Sequence, residues 1–455
     1  MIIFSENFDQ VKEAADLEEL YGYDGLVDYY GDNPAIIDSS DAFLNVNTST
    51  PLELGDQHKR SLYGFTKLTT TSFSTPLLRD SRRIVFGISI GTSGMRDGLT
   101  EVIGAIDLVQ PFMLWTRMDI LFSNESSALF KVSIFFRQNG TIDITFDNMG
   151  AGLPEISPMS GIPINNYRKN FLEIYTDSTG AESGHGNLKI ALNGLTIAAR
   201  EDVVNSNYLA WEGNPSNPVS YYRKVAVTMT YHTLDWQYAY QRNAQQWLID
   251  SFYVCNEEGG VHDDFLGPVH ITSMYPDPAQ TGDKNNWIGY KNNVQVAEEQ
   301  KEQYPNASLV NNPALDFTAD ADDYIQADAE LLQELYYMKN NIDPGRIGLN
   351  NPIAINFSTF VKQIFSYEGQ DFDKGLIAIT KPSGNDIDRE TGAKIAVDQY
   401  TYKPLDIYWP VIPNLAVPWT WELLDGTQFG FESTQIIHQL SLSESMDLSE
   451  DVTEE

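Results

Sequence analysis

The chain has 455 residues, of which 42% are hydrophobic and 20% charged, and 64 acidic residues against 29 basic ones leave a formal net charge of −35. That length predicts two or three domains rather than one giant core, and the apolar content excludes a disordered chain or a fibre. A charge of this sign repels nucleic-acid phosphates, so no nucleic-acid partner is expected. The acidity suits solubility or a salty habitat first and a basic partner second. The single cysteine, Cys255, has no intrachain partner for a disulfide and reads as a small buried hydrophobe within a strand. The opening Met1-Ile-Ile-Phe-Ser-Glu-Asn-Phe-Asp9 has no basic region and no long apolar stretch. No secretory signal is read there, no run elsewhere approaches the length of a membrane span, and synthesis in a cytoplasm without membrane insertion is the expectation.

Residues 10 to 20 read as about two turns of helix, and residues 31 to 51 as short extended pieces and turns. Strand text follows in Arg83–Ile90, Gln110–Arg117 and Ala128–Arg137, which are β-branched and aromatic runs separated by Gly, Ser, Asn and Asp. Asn139-Gly140 lies between the alternating runs 132–136 and 142–146, and Asn-Gly favours the left-handed turn of a hairpin, so Gly140 is expected at positive φ. Asn193-Gly194 repeats the device between Leu188–Leu192 and Leu195–Ala199, and Val225–Tyr231 and Gln245–Val254 add two more strands. Leu234–Tyr240 suits a twisted strand or a helical turn equally. Many short strands with Gly-rich turns predict a sandwich of antiparallel sheets over residues 1–275.

Beyond Pro268 the text turns to Asp, Asn, Gln and Pro, and residues 276–350 are expected to be an acidic, loop-rich, partly helical linker or insertion. Its helical part is placed over 319–338, where Tyr324, Ala327, Leu331, Leu335 and Met338 share one side and Pro344-Gly345 stops the run. The alternative is an acidic loop through residue 323 followed by a shorter helix. Strand-like text resumes at 354–365 and 376–380, which predicts a smaller β-containing domain over 351–442. The tail 443–455, with Glu444, Asp447, Glu450 and Asp451, holds too little apolar surface to pack alone and is expected to dock on a partner. The fold class is therefore mainly β, an antiparallel jelly-roll sandwich with a loop-rich, partly helical middle and a smaller C-terminal β domain.

No pattern in the chain has the spacing of a dedicated catalytic or metal motif. The six histidines match no zinc spacing, and His262, Asp263, Asp264 and His270 read as an exposed turn before they read as a metal cluster. Asp263, Asp264, Asp277 and Asp283 lack the regular spacing of a calcium loop and read as solvated acids. No metal and no cofactor is expected. No nucleophile elbow or phosphate loop is present. Asp143 and Asp147 share a strand face, but four residues of strand hold them about 13 Å apart, too far for the retaining pair of a glycosidase. Trp236, Tyr238, Tyr240 and Trp247 form one aromatic cluster, and Trp409, Trp419 and Trp421 stand in another. Flat rings suit core packing, then subunit interfaces, then stacking on a glycan.

Four segments, Phe4–Asp9, Phe135–Gly140, Trp247–Asn256 and Asp263-Asp-Phe-Leu-Gly-Pro-Val-His270, resemble a group of tailed-bacteriophage virion proteins with a lectin-like jelly roll of the concanavalin A or laminin-G type. The closing stretch Trp419–Gly430 is similar to the end of such proteins. The resemblance spans residues 1 to about 275 and, more thinly, 350 to 432, and Trp247–Gly267 is its most specific piece. It implies a non-enzymatic structural component of a phage particle, most of all of the tail or baseplate, assembling with copies of itself and with other virion proteins. It carries no catalytic residues. The alternatives are a glycan-binding receptor module of a tail fibre, recognising a host surface glycan, a head-decoration protein, or a glycoside-cleaving enzyme with two carboxylates across a groove.

Overall fold

The structure is a computed structural model of the whole chain. It describes residues 1–6, 27–28, 42–47, 61–66, 70–75, 78–91, 114–123, 128–137, 140–148, 158–164, 169–177, 185–205, 222–231, 245–269, 271, 274–310, 324–327, 331–339, 351–361, 373–389, 395–396, 403–413 and 415–436.

Fifteen strands lie within the first 256 residues among those described: β1 (Ile2–Glu6), β2 (Val27–Asp28), β3 (Ala42–Asn47), β4 (Ser61–Thr66), β5 (Thr70–Ser74), β6 (Arg83–Gly91), β7 (Leu114–Ser123), β8 (Ala128–Arg137), β9 (Thr141–Asn148), β10 (Met159–Pro163), β11 (Lys169–Asp177), β12 (His185–Leu192), β13 (Leu195–Asn205), β14 (Lys224–Tyr231) and β15 (Gln245–Asn256). They form two antiparallel sheets. One runs β13-β12-β11-β6-β15-β4-β3 with β1 also paired to β15, and the other runs β10-β9-β8-β7-β14-β5-β2. Alternate residues of each sheet face a shared apolar core: Ile84, Phe86, Ile88 and Ile90 from β6, Leu172 and Ile174 from β11, Met118, Ile120 and Phe122 from β7, and Val132, Ile134 and Phe136 from β8. The expected β-sandwich is present in this general sense.

Both Asn-Gly signals mark hairpins. Strands β8 and β9 pair from Phe130↔Asn148 to Phe136↔Ile142, with Gly140 at φ 78°. Between β12 and β13, Asn193 and Gly194 both have positive φ, 52° and 78°, as a two-residue type I′ turn requires. Cys255 is fully buried on β15, as its strand context implied.

Eleven further strands follow: β16 (Tyr275–Pro276), β17 (Ile288–Lys291), β18 (Val294–Gln295), β19 (Tyr324–Gln326), β20 (Gln333–Lys339), β21 (Ile355–Val361), β22 (Asp373–Lys381), β23 (Asp388–Arg389), β24 (Ile395–Ala396), β25 (Lys403–Trp409) and β26 (Gln428–Ile436). A sheet β16-β20-β26-β22-β23, with β24 also on β22, packs with the pair β21-β25 around a second core of Phe357, Ile407, Trp409, Ile412, Trp419, Leu424, Phe429 and Phe431. Strands β18-β17-β19 form a small third sheet beside the short helix Asn306–Val310.

The helix expected over 319–338 is not formed. Its described residues make β19 and β20, and β20 pairs with β26 from Gln333↔Glu432 to Tyr337↔Gln428. Gln333, Glu334, Leu335 and Tyr336 are all buried, so both faces of this strand are covered and the two-residue alternation that announces a strand is lost. Leu331, assigned to the apolar stripe, is exposed at φ 62°. The shorter-helix alternative fails on the same strand.

Candidate functional site

The face of the β10-to-β2 sheet turned away from the core is polar. Side chains alternate along each strand, so while Met118, Ile120 and Phe122 face inward, Arg117, Asp119, Leu121 and Ser123 face out. Register extends this face sideways. Asp119 lies opposite Ser133 of β8 and Thr228 of β14, and Ser133 lies opposite Thr145 of β9. Arg117 lies opposite Phe135, which lies opposite Asp143. One row therefore crosses four strands as Thr228, Asp119, Ser133 and Thr145, flanked by Arg117 and Asp143 on one side and by Lys131 and Asp147 on the other.

Charges on this face are mostly paired. The Arg117 guanidinium contacts Asp119 Oδ2 at 2.8 Å and Lys131 contacts Asp147 at 3.2 Å, while Asp143 Oδ1 accepts from the backbone N–H of Gly161 at 2.9 Å. Asp119 is 7% exposed, Ser133 5% and Asp143 9%, low values for polar residues on an outer sheet face. Two atoms stand out. Asp119 Oδ1 and Arg117 Nε are buried and have no hydrogen-bond partner, although each belongs to a charged group. A buried acceptor and a buried donor left open within one ion pair is a costly arrangement.

Over β11, β6 and β15 the opposite outer face, that of the β13-to-β3 sheet, is covered. Glu173 Oε1 accepts from the Tyr253 hydroxyl at 2.5 Å and from the Gly267 N–H at 2.9 Å, and Arg83 holds Asp177 and Asp263. Residues 263–269 cross this face, with Phe265, Leu266 and Val269 packed on Val85, Phe171, Tyr175 and Tyr253. Burial raises the Glu173 carboxyl above its ordinary range, against the opposing pull of the Tyr253 hydroxyl and the Gly267 and Leu266 N–H donors.

The residues singled out in the sequence fall elsewhere. Trp236, Tyr238 and Tyr240 and the tail residues Glu444, Asp447, Glu450 and Asp451 lie outside the described residues, and Trp247 is described in its β15 backbone alone. Trp409 and Trp419 sit in the second core, 3% and 0% exposed, with Trp419 Nε1 donating to the Trp409 carbonyl at 2.9 Å, and Trp421 packs at its margin. Asp263 and Asp264 pair with Arg83 and Lys189, Asp283 pairs with Lys381, and Asp277 accepts from the Ala279 N–H and Gln280. Among the described residues no group of three or more His, Cys, Asp or Glu converges as metal ligands would, and no helix is long and apolar enough to cross a membrane. The sequence reading missed Arg117 and Asp119, whose signal was a charged pair at i, i+2 in an otherwise apolar strand.

No protein-family model and no curated protein matches the chain. Among solved structures it is similar to an endo-β-1,4-glucuronan lyase from the fungus Trichoderma reesei, at 9% identity and TM-score 0.34, over 56% of this chain and 96% of that one. It is also similar to a marine PL-14 alginate lyase from Aplysia kurodai, at 8% and 0.33 over 56% and 99%. A protein of unknown function with a galectin-like fold from Bacillus subtilis aligns at 12% and 0.25 over 52% and 95%. The expected likeness to phage virion proteins is corrected: the similar structures are carbohydrate-active or galectin-like proteins, none of these a virion component, and the non-enzymatic tail or baseplate role that the likeness implied loses its support.

Proposed function

We propose that the chain is a glycan-acting protein that seats a neutral oligosaccharide across the outer face of the β10-to-β2 sheet. The observation that carries this reading is the open pair Asp119 Oδ1 and Arg117 Nε. Both atoms are buried, so a sugar reaches them only once their cover moves aside; a sugar hydroxyl both donates and accepts, and two neighbouring hydroxyls then complete the carboxylate and the guanidinium at once with charge-assisted hydrogen bonds. Thr228, Ser133 and Thr145 extend the same chemistry along the row. Neutral sugars are favoured over uronates because the cations here are already paired with carboxylates and the chain as a whole is acidic.

Asp119 and Asp143 are the carboxylates available to act on the bound glycan. Two strand spacings and a two-residue offset put their Cα atoms about 12 Å apart, which leaves room for a sugar and a water between the carboxyls, as inverting hydrolysis needs, and not the close contact of a retaining pair. The order of β6 between β11 and β15 supports reading the sandwich as jelly-roll type.

Calorimetric titration with neutral and uronic oligosaccharides, followed by product analysis, tests the reading. Neutral oligosaccharides should bind, and Asp119→Asn should weaken binding by about 10-fold or more, the worth of one hydrogen bond to a charged group. Unchanged binding in that variant, or a preference for uronates, overturns it.

A further inference from the structure

The segment 261–269 follows β15 and the 3-10 turn Glu258–Gly260, crosses the outer face of the β13-to-β3 sheet over β11, β6 and β15, and is held there around one buried carboxylate. Gly87 makes the room: a Cβ on it would lie 2.2 Å from Tyr253 Cε1, so the Tyr253 ring can lie flat against β6, stacked with Phe171 at 6.1 Å between centroids. The Tyr253 hydroxyl donates to Glu173 Oε1, and its oxygen accepts from the Leu266 N–H at 3.3 Å. Gly267, at φ 79°, donates to the same Glu173 Oε1. Both donors land on one oxygen. Glu173 Oε2 is buried without a partner, and so is Ser89 Oγ, one strand away on the same face. An ionised carboxylate with one oxygen left dry is disfavoured, whereas a neutral acid accepts both bonds on its carbonyl oxygen and keeps its proton on the other.

We infer that residues 261–269 are a proton-gated strap, closed over Tyr253 while Glu173 is neutral and released as Glu173 ionises. This inference stands apart from the glycan-seating reading, which concerns the other sheet. The sign follows from linkage. Burial under the strap raises the Glu173 pKa above its ordinary value of 4.5, so the closed form binds the proton more tightly than the open one. Closure is therefore fully supported below about 4.5 and is lost as pH rises through the raised value. The groups facing Glu173 are Tyr253 and Cys255 from β15 and Asp264 from the strap, the last paired with Lys189 of β12. Tyr175 and Asp177 stand on the same face of β11, with Arg83 of β6 bonded to Asp177 and Asp263. His262 at the root of the strap titrates in the opposite sense, because burial lowers its pKa and closure favours its neutral form.

The test is amide hydrogen exchange of the full chain from pH 5 to 8, corrected for intrinsic rates, in the native protein, His262→Asn and Glu173→Gln. His262 has φ 58°, a conformation Asn accepts, so that variant removes the opposing titration without new strain. In His262→Asn the protection of Leu266 and Gly267 should fall with rising pH, by up to about tenfold per unit. In Glu173→Gln, which mimics the neutral acid, that fall should vanish. Flat protection in His262→Asn, or the same fall in Glu173→Gln, overturns the inference. If Glu173→Gln does not fold, the pH series of His262→Asn decides alone.

Discussion

Glu334 shows how one side chain couples the packing around the second core to pH. It is 1% exposed on β20 and accepts from the Trp287 N–H at 3.1 Å and from Asn306 Nδ2 at 3.0 Å, so it ties the β17 segment and the helix Asn306–Val310 to the larger sheet. Burial lifts its pKa from 4.5 to about 7 despite these donors. Because the folded value is the higher one, its stabilising contribution is whole below pH 4.5 and disappears as pH rises through about 7, an effect on the order of 3 kcal/mol. Melting curves between pH 4.5 and 7.5 should therefore show stability falling with pH, and Glu334→Gln should flatten that dependence. Gly87 sets a different limit. Gly87→Ala forces the Tyr253 ring off β6 and should cost about 1–3 kcal/mol by overpacking, read as a lower denaturant midpoint at unchanged m-value.

Elements differ in how much of themselves they announce. The two Asn-Gly hairpins were legible because the turn residues and both flanking strands agree: each Gly sits at φ 78°, a region in which a β-branched residue is strained. Gly194→Val should accordingly destabilise the β12-β13 hairpin by about 1 kcal/mol or more, measurable as faster amide exchange across that pair. Of Gln110–Arg117, residues 110–113 lie outside the described residues, and the strand Leu114–Ser123 runs beyond the expected end because its core residues are Met118, Ile120 and Phe122. β20 was misread outright. Its apolar residues at 331, 335 and 338 fit a helical stripe only because Gln333 and Glu334 are buried polar groups, satisfied by Glu432 and by Trp287 and Asn306. No local rule foresees partners that lie 28 to 99 residues away. Leu335→Ala should cost about 2–5 kcal/mol as a buried truncation, whereas the same change at exposed Leu331 should cost under about 1 kcal/mol.

At the scale of the whole molecule, a net charge of −35 opposes compaction by self-repulsion, and salt relieves it over a Debye length of about 10 Å at 0.1 M. Unfolding midpoints should rise between 10 and 150 mM salt, and insensitivity to salt would mean that the acids are locally neutralised. The outer-face site was illegible for a related reason. Arg117, Asp119, Ser133, Asp143 and Thr145 come from three strands, and register alone makes neighbours of them. Of the aromatic residues singled out in the sequence, Trp409 and Trp419 fill a core, the first use that flat rings suggest, and contribute nothing to this face. Finally, β1 pairs with β15, Ile2 opposite Cys255 and Glu6 opposite Phe252. A ribosome adding about 5–20 residues per second places that partner about 12–50 s after β1 has been made. During that interval Ile2 and Phe4, later buried, face water or a chaperone, so the strand Ile2–Glu6 waits for a partner that the chain supplies only much later.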